Sequence, residues 1–267
     1  MELPQLASFL GVVLATGYIK RMKKLSKMFD RFLEHVVDEH SERRRREGES
    51  FVVKDMVDVL LQFASDPGLE VKLNREGVKA FTQDLIAGGT ESSAVTVEWA
   101  LSELLKKPEV LAKATEELDR VVGRGRWVTE KDMPSLPYVD AIVKETMRLH
   151  PVAPMLVPRL SREDTSINGY DIPAGTRVLV MVWSIGRDPE LWEAPEEFMP
   201  ERMCPGYSLG LKVIQVSLAN LLHGFTWRLP DGVELSMEEI FGLSTPRKFP
   251  LEAVVEPKLP AHLYAEA

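Results

Sequence analysis

From Asn74 to Lys106 the chain offers a stretch that contains no proline and reads as one continuous helix, with Asn74 placed to cap its start. At about 1.5 Å per residue such a helix is nearly ~50 Å long. Few globular helices reach that length, so this one is expected to cross an entire domain and to set the frame for the rest. Gly88-Gly89 falls in its middle, at a cost of roughly 1 kcal/mol each relative to alanine. A local bulge or the close approach of a ligand is the expected reason for tolerating them.

Around this helix the pattern is helical before residue 150 and strand-like after it. Lys20 to Arg46 is amphipathic, with Leu25, Met28, Phe29, Phe32, Leu33, Val36 and Val37 recurring at three- and four-residue steps. Arg43 to Arg46 is read as a solvated helix end, where positive charge suits the dipole. Asp55 to Ala64 is a short apolar helix. Pro108 opens a further helix that Gly123 closes, and Pro137 to Leu149 is another, stopped by Pro151. The period then shifts. Residues 164–167, 170–172 and 176–183 read as strands, with Asn168-Gly169 as a hairpin turn. Leu209 to Phe225 is an apolar helix, followed by an irregular tail. The fold class expected is mainly α with a small segregated β portion, α+β.

Composition excludes several classes of function. The 267 residues carry a net charge of -8, and their basic stretches are local, so no nucleic-acid partner is expected. A single cysteine rules out an intrachain disulfide and suits a reducing compartment or a metal-ligand role. Leu6 to Ile19 is an apolar run of 14 residues, short of the ~20 needed to span a bilayer. It reads either as a buried or interfacial helix start or as half of a signal anchor, and weak membrane association is expected.

Three groups of residues could carry chemistry. Glu145 and Arg148 lie three apart, on one helix face; alone they are a surface ion pair worth about 0.3 kcal/mol. Glu91 and Ser92 follow Gly88-Gly89 on the long helix, where an acid beside hydroxyls suits a proton relay, although helical hydroxyls more often bond back to the previous turn. Cys204 stands just ahead of a helix, where its thiolate would be stabilised and could ligate a soft or redox metal; a buried inert cysteine is the alternative. A thiol or serine hydrolase is set aside, because Cys204 is followed by proline and Ser92 has no His/Asp pattern.

In this order, Glu145-x-x-Arg148 with His150-Pro151, then Phe198-x-Pro200-Glu201-Arg202, then Cys204-Pro205-Gly206 opening a helix resembles the cytochrome P-450 family. The resemblance runs from Gly17 to about Leu263. The surrounding wording is similar to the plant group that hydroxylates flavonoids, terpenoids and other specialised metabolites. It implies a monooxygenase that uses dioxygen and electrons from an NADPH-dependent flavoprotein reductase, with a small hydrophobic metabolite as substrate. It implies heme b with Cys204 as axial thiolate and metal ligand. Glu91 and Ser92 would relay protons; the family most often has threonine where Ser92 stands. Gly88 and Gly89 would lie against the cofactor, and Arg159 would reach a propionate. Glu145 and Arg148 would pair with Arg202 to hold the core behind the haem. Val152, Ala153, Pro154, Met155 and Leu156, with Leu243, Ser244 and Thr245, would line the substrate pocket. The location implied is the cytosolic face of the endoplasmic reticulum membrane, or a peripheral or cytosolic one given the short apolar run.

Two departures from the family stand out. Residues 1–16 resemble the start of a membrane anchor and 17–267 a shortened P-450 domain, with the first helices and much of the pocket roof missing between them. Pro200-Glu201-Arg202 then runs directly into Met203-Cys204, so the family's long meander and the first part of its haem loop have no counterpart, and Arg202 must serve two motifs at once. The expectation is impaired haem binding and marginal stability, since each large apolar side chain left in water forfeits roughly 1.5–3 kcal/mol. The alternative is a non-catalytic isoform acting through partner or membrane binding.

Overall fold

The computed structural model describes residues 3–66, 68, 72–200, 209–240, 242 and 244–265. The chain divides into two compact units, Met1–Gly89 and Thr90–Ala267.

The first unit is built on α1 (Leu3–Glu47), α2 (Met56–Ala64) and the opening turns of α3 (Arg75–Lys106). The apolar run and the amphipathic stretch of the sequence are thus one helix. Asp55 caps α2 by accepting from the Asp58 backbone N–H at 3.1 Å, and Asn74 accepts from that of Gly77 at 2.8 Å, the cap expected for α3. The core here is small: Val37, Leu60 and Val78. Of the stripe expected to be buried on α1, Leu33 and Val37 are buried, whereas Leu25, Met28, Phe29 and Phe32 are exposed. Among the described residues, the buried apolar partners of this stripe come from α2 and α3 near its C-terminal end.

Ion pairs do much of the joining in this unit. Lys79 meets Asp30 at 2.7 Å and Glu34 at 2.9 Å; Arg75 meets Asp38 at 2.7 Å. The first half of the arginine run departs from the solvated-end reading, whereas Arg45 and Arg46 are exposed in the last turn of α1. Arg43 pairs with the buried Asp58, and Arg44 donates to the Leu61 carbonyl at 2.9 Å. Both guanidinium groups lie over Phe51, whose ring gives them an apolar bed.

The second unit packs α4 (Pro108–Val121), α5 (Pro137–Leu149) and α7 (Leu209–Gly224) around the C-terminal half of α3. Leu104, Leu118, Ile142 and Leu218 are almost wholly buried there. Proline sits at the first turn of both α4 and α5, where a missing N–H costs nothing. Among the described residues the β portion is three separate antiparallel pairs. They are β1 (Arg159–Leu160) with β4 (Arg177–Val178), β2 (Thr165–Ile167) with β3 (Tyr170–Ile172), and β5 (Phe225–Arg228) with β6 (Val254–Pro257). Asn168 and Gly169 both take positive φ, 51° and 83°, as a two-residue primed turn requires. The strand expected at 176–183 stops early, and Val182–Ile185 form a helical turn, α6. The architecture is the mainly helical α+β class that the sequence implies.

Candidate functional site

The site grows from one turn of α5. Glu145 and Arg148 are 1% and 6% exposed, so the surface-pair estimate does not apply to them. Arg148 Nε and Nη2 donate to Glu145 Oε2 and Oε1, each at 2.8 Å, a fork-on-fork pair. Nη1 donates to the carbonyls of Gly186 and Pro195, and Nη2 also to that of Glu197 at 2.9 Å. All five guanidinium donors are therefore used. Glu145 Oε1 in turn accepts from the Met199 backbone N–H at 2.8 Å. A charge buried this deeply needs every donor satisfied, and the irregular stretch 186–199 supplies the acceptors. Trp192 lies 5.2 Å from the guanidinium carbon.

One residue beyond α5, His150 begins a second buried cluster. Its ring stacks on Trp99 of α3, with centroids 4.1 Å apart and planes within 2°. Nε2 is 2.8 Å from Glu103 Oε1 and Nδ1 is 3.4 Å from Glu239 Oε1. Burial pulls the His150 pKa down, but the hydrogen bonds to Glu103 and Glu239 outweigh it and leave the pKa raised. Trp99 Nε1 donates to the Thr245 carbonyl at 3.0 Å, and Arg247 bonds Ser102 beneath it. Desolvation lowers the Arg247 pKa, opposed by Glu98 and Glu103. Sequence reasoning missed Trp99, Glu103, Glu239 and Arg247. The one signal for them was the placement of Trp99, Ser102 and Glu103 on a single face of a long helix.

This cluster draws the expected pocket segments together. Thr245 N donates to the Val152 carbonyl at 2.9 Å, and its hydroxyl donates to that of Pro151 at 2.8 Å. Ala153, Met155 and Leu156 are half-buried, and Pro154 is buried. Leu156 takes φ 51°, a left-handed conformation uncommon for leucine. Ser244 reaches further and donates to Glu91 Oε1 at 2.9 Å, joining an expected pocket residue to an expected relay acid. Ser92, next to Glu91, accepts at its carbonyl from the Thr96 hydroxyl.

Gly88 and Gly89 are exposed, and a Cβ at either would meet nothing within 4 Å. The helix runs through them without a bulge, the first of the two reasons offered for tolerating them. Arg159 is exposed on β1. Cys204, Arg202 and Leu243 lie outside the described residues. Among the described residues, the one histidine and carboxylate group close enough for a metal is His40, Asp55 and Asp58 in the first unit. Cationic partners already face it: Arg43 pairs with Asp58, and His40, its pKa raised by Asp55 against the pull of burial, faces Asp55.

A family model for cytochrome P450 matches residues 3–203. The chain belongs to the cytochrome P450 family. Trimethyltridecatetraene synthase and dimethylnonatriene synthase of Zea mays are each 51% identical to it over 96% of its length. Cytochrome P450 71A1 of Persea americana is 44% identical over 93%. The chain spans about half the length of these curated relatives, 54% to 55%. The first of these alignments takes in 300 positions, more than the 267 residues of the chain, so the relative has residues where this P450 has none. Among solved structures, a zebra fish cytochrome P450 with abiraterone is similar at a TM-score of 0.78 and 28% identity, covering 97% of this chain and 66% of that one. The plant character of the resemblance and the P450-type α+β fold are both established by these likenesses.

Proposed function

We propose that this chain derives from a plant haem-dependent monooxygenase that hydroxylates a small apolar metabolite, and that its own hold on haem is weakened. The observation that carries this reading is the saturated Glu145–Arg148 pair. A buried ion pair of this kind stabilises little by itself. Its use is to fix the irregular 186–199 stretch, which precedes Cys204 in the sequence.

Heme b asks for an open flat wall and for a cation to meet a propionate. Gly88 and Gly89 leave the surface of α3 open to a flat group, and Arg159 offers an exposed cation for a propionate. Both fit. In our reading Cys204 would hold haem through its thiolate, and haem bound there would supply the oxygen-activating chemistry. Glu91 and Ser244, hydrogen-bonded at 2.9 Å, hold a proton path at the Glu91 carboxylate and the Ser244 hydroxyl, with Ser92 beside them. Residues 152–156 with Ser244 and Thr245 orient the substrate, together with Leu243, and exclude water from it. Arg202 lies so close to Cys204 in sequence that it cannot serve both the Glu145 region and a propionate, which weakens haem retention.

The two maize relatives are named for branched polyenes, and we take the substrate to be of that hydrophobic class. Electrons would come from an NADPH-dependent flavoprotein reductase. The setting would be the cytosolic face of the endoplasmic reticulum membrane, with residues 1–16 as part of an anchor and 17–267 as the P450 domain. No helix among the described residues is long and apolar enough to cross a membrane.

Carbon monoxide added to the reduced chain, expressed with haem supply, tests the reading. A strongly red-shifted Soret band of low amplitude, lost in Cys204→Ser, is expected. No such band in the unmodified chain overturns thiolate ligation and leaves a non-catalytic, partner- or membrane-binding protein.

A further inference from the structure

The 238–248 segment is a closed loop. Ile240 N donates to the Pro246 carbonyl at 3.0 Å and Lys248 N to that of Glu238 at 2.8 Å, with Glu239 and Arg247 bridged between them. The loop carries Ser244 and Thr245 at its far end. It is tied to α3 through Trp99, and to the α5 end through Thr245.

His150 stands between the base of this loop and α3. One ring nitrogen faces a carboxylate oxygen of Glu103, and the other a carboxylate oxygen of Glu239. A neutral imidazole carries one N–H and can donate to one of them only. Making both contacts takes one more proton, held on the ring or on a facing acid. The charged groups around the ring favour that proton. Glu103 faces it from α3 and Glu239 from the loop. Arg247, the cation of that wall, lies over Trp99 and 3.8 Å from Glu98, and Arg148, two residues away on α5, is spent on Glu145. Two carboxylates against one ring leave a place for a cation between them.

We propose that His150 is a proton-gated clamp: the imidazolium joins Glu103 on α3 to Glu239 on the 238–248 loop, and its charge sets how firmly Ser244 and Thr245 are held at the candidate substrate pocket. The clamp releases on the Glu239 side, where the contact is longer, 3.4 Å against 2.8 Å. His150 is a positioning residue, acting on the pocket through the loop. The role of that loop at a pocket rests on the function proposed above, whereas the clamp itself does not.

Backbone hydrogen exchange of the full chain tests it without haem or substrate. Protection factors of the Ile240, Thr245 and Lys248 amides, corrected for intrinsic exchange, are compared at pH 6 and pH 9 with those of α7. Loss of one charge-assisted hydrogen bond corresponds to about tenfold. A fall of that size, confined to the loop, is expected as pH rises. Glu239→Gln is isosteric and sits at the less buried side of the contact, so it serves where a His150 substitution could unfold the chain. It should hold the loop at its high-pH protection at both pH values. Equal loop protection at the two pH values in the unmodified chain, or a pH dependence that survives Glu239→Gln, overturns the clamp. A failed carbon monoxide test alongside a pH-dependent loop would sink the haem reading alone.

Discussion

Arg148 places two of its five donors on the carboxylate of Glu145 three residues earlier on the same helix, and spends the other three on the carbonyls of Gly186, Pro195 and Glu197. A local ion pair has thereby become the anchor of a stretch about forty to fifty residues away. Removing one partner leaves a buried charge alone, which costs about 3–5 kcal/mol. Arg148→Lys keeps the charge but cannot make the fork, and is expected to lose much of this as well. Urea denaturation should show a midpoint well below that of the unmodified chain for Arg148→Ala and Arg148→Lys. An unchanged midpoint would mean that the pair contributes nothing to holding 186–199.

Glycines of this chain divide into two kinds, and alanine tells them apart. At Gly186 a Cβ would stand 2.6 Å from the Arg148 carbonyl oxygen, and at Gly224 2.4 Å from the Trp127 ring. Backbone cannot step aside, and Trp127 is pinned by its bond to the Leu263 carbonyl. Each substitution is expected to destabilise by about 1–3 kcal/mol.

Gly88→Ala and Gly89→Ala should do the reverse. Each has open space for a Cβ in the middle of a long helix, so each should stabilise the chain by roughly 1 kcal/mol. If haem lies against this surface, the same two variants should lower haem content while raising the thermal midpoint. A parallel rise in both would remove the glycines from the cofactor site.

The sequence showed the helices better than it showed the site. α5 was readable at both ends because Pro137 can only open a helix and Pro151 closes one soon after. Asn168-Gly169 fixed its hairpin by the same local logic. Residues 176–183 misled because Val178, Val180 and Val182 alternate as a strand would. There, tertiary demand wins: Trp183 N donates to the Pro154 carbonyl, and the Gly186 carbonyl is taken by Arg148. Glu145, Arg148 and Glu91 stood out by their placement on helices and Thr245 by the family resemblance; the Glu145–Arg148 pair was expected from its spacing, but their other contacts were not. The stacking of Trp99 on His150 and the reach of Ser244 to Glu91 join positions far apart in sequence, which no local period encodes.

His223 and His150 should give the stability of this protein opposite pH limbs. His223 is fully buried in α7, with Nε2 on the Arg126 carbonyl and, among the described residues, no hydrogen-bond partner at Nδ1. Burial lowers its pKa, only partly offset by that carbonyl. A histidine depressed in the folded state binds its proton more readily when unfolded. Its contribution is therefore complete above the unfolded value of about 6.5 and is lost as pH falls from there through the lowered folded value. For His150 the folded pKa is raised, so its contribution is complete below about 6.5 and is lost as pH rises through the raised value. Urea midpoints measured from pH 4.5 to 9 should decline on both sides. In His223→Gln, which cannot titrate and can still donate to the Arg126 carbonyl, the acid limb should flatten while the alkaline limb stays. An acid limb unchanged in that variant would assign the acid sensitivity to carboxylates such as Asp119, whose pairing with Arg124 and Lys258 outweighs burial and holds its pKa low.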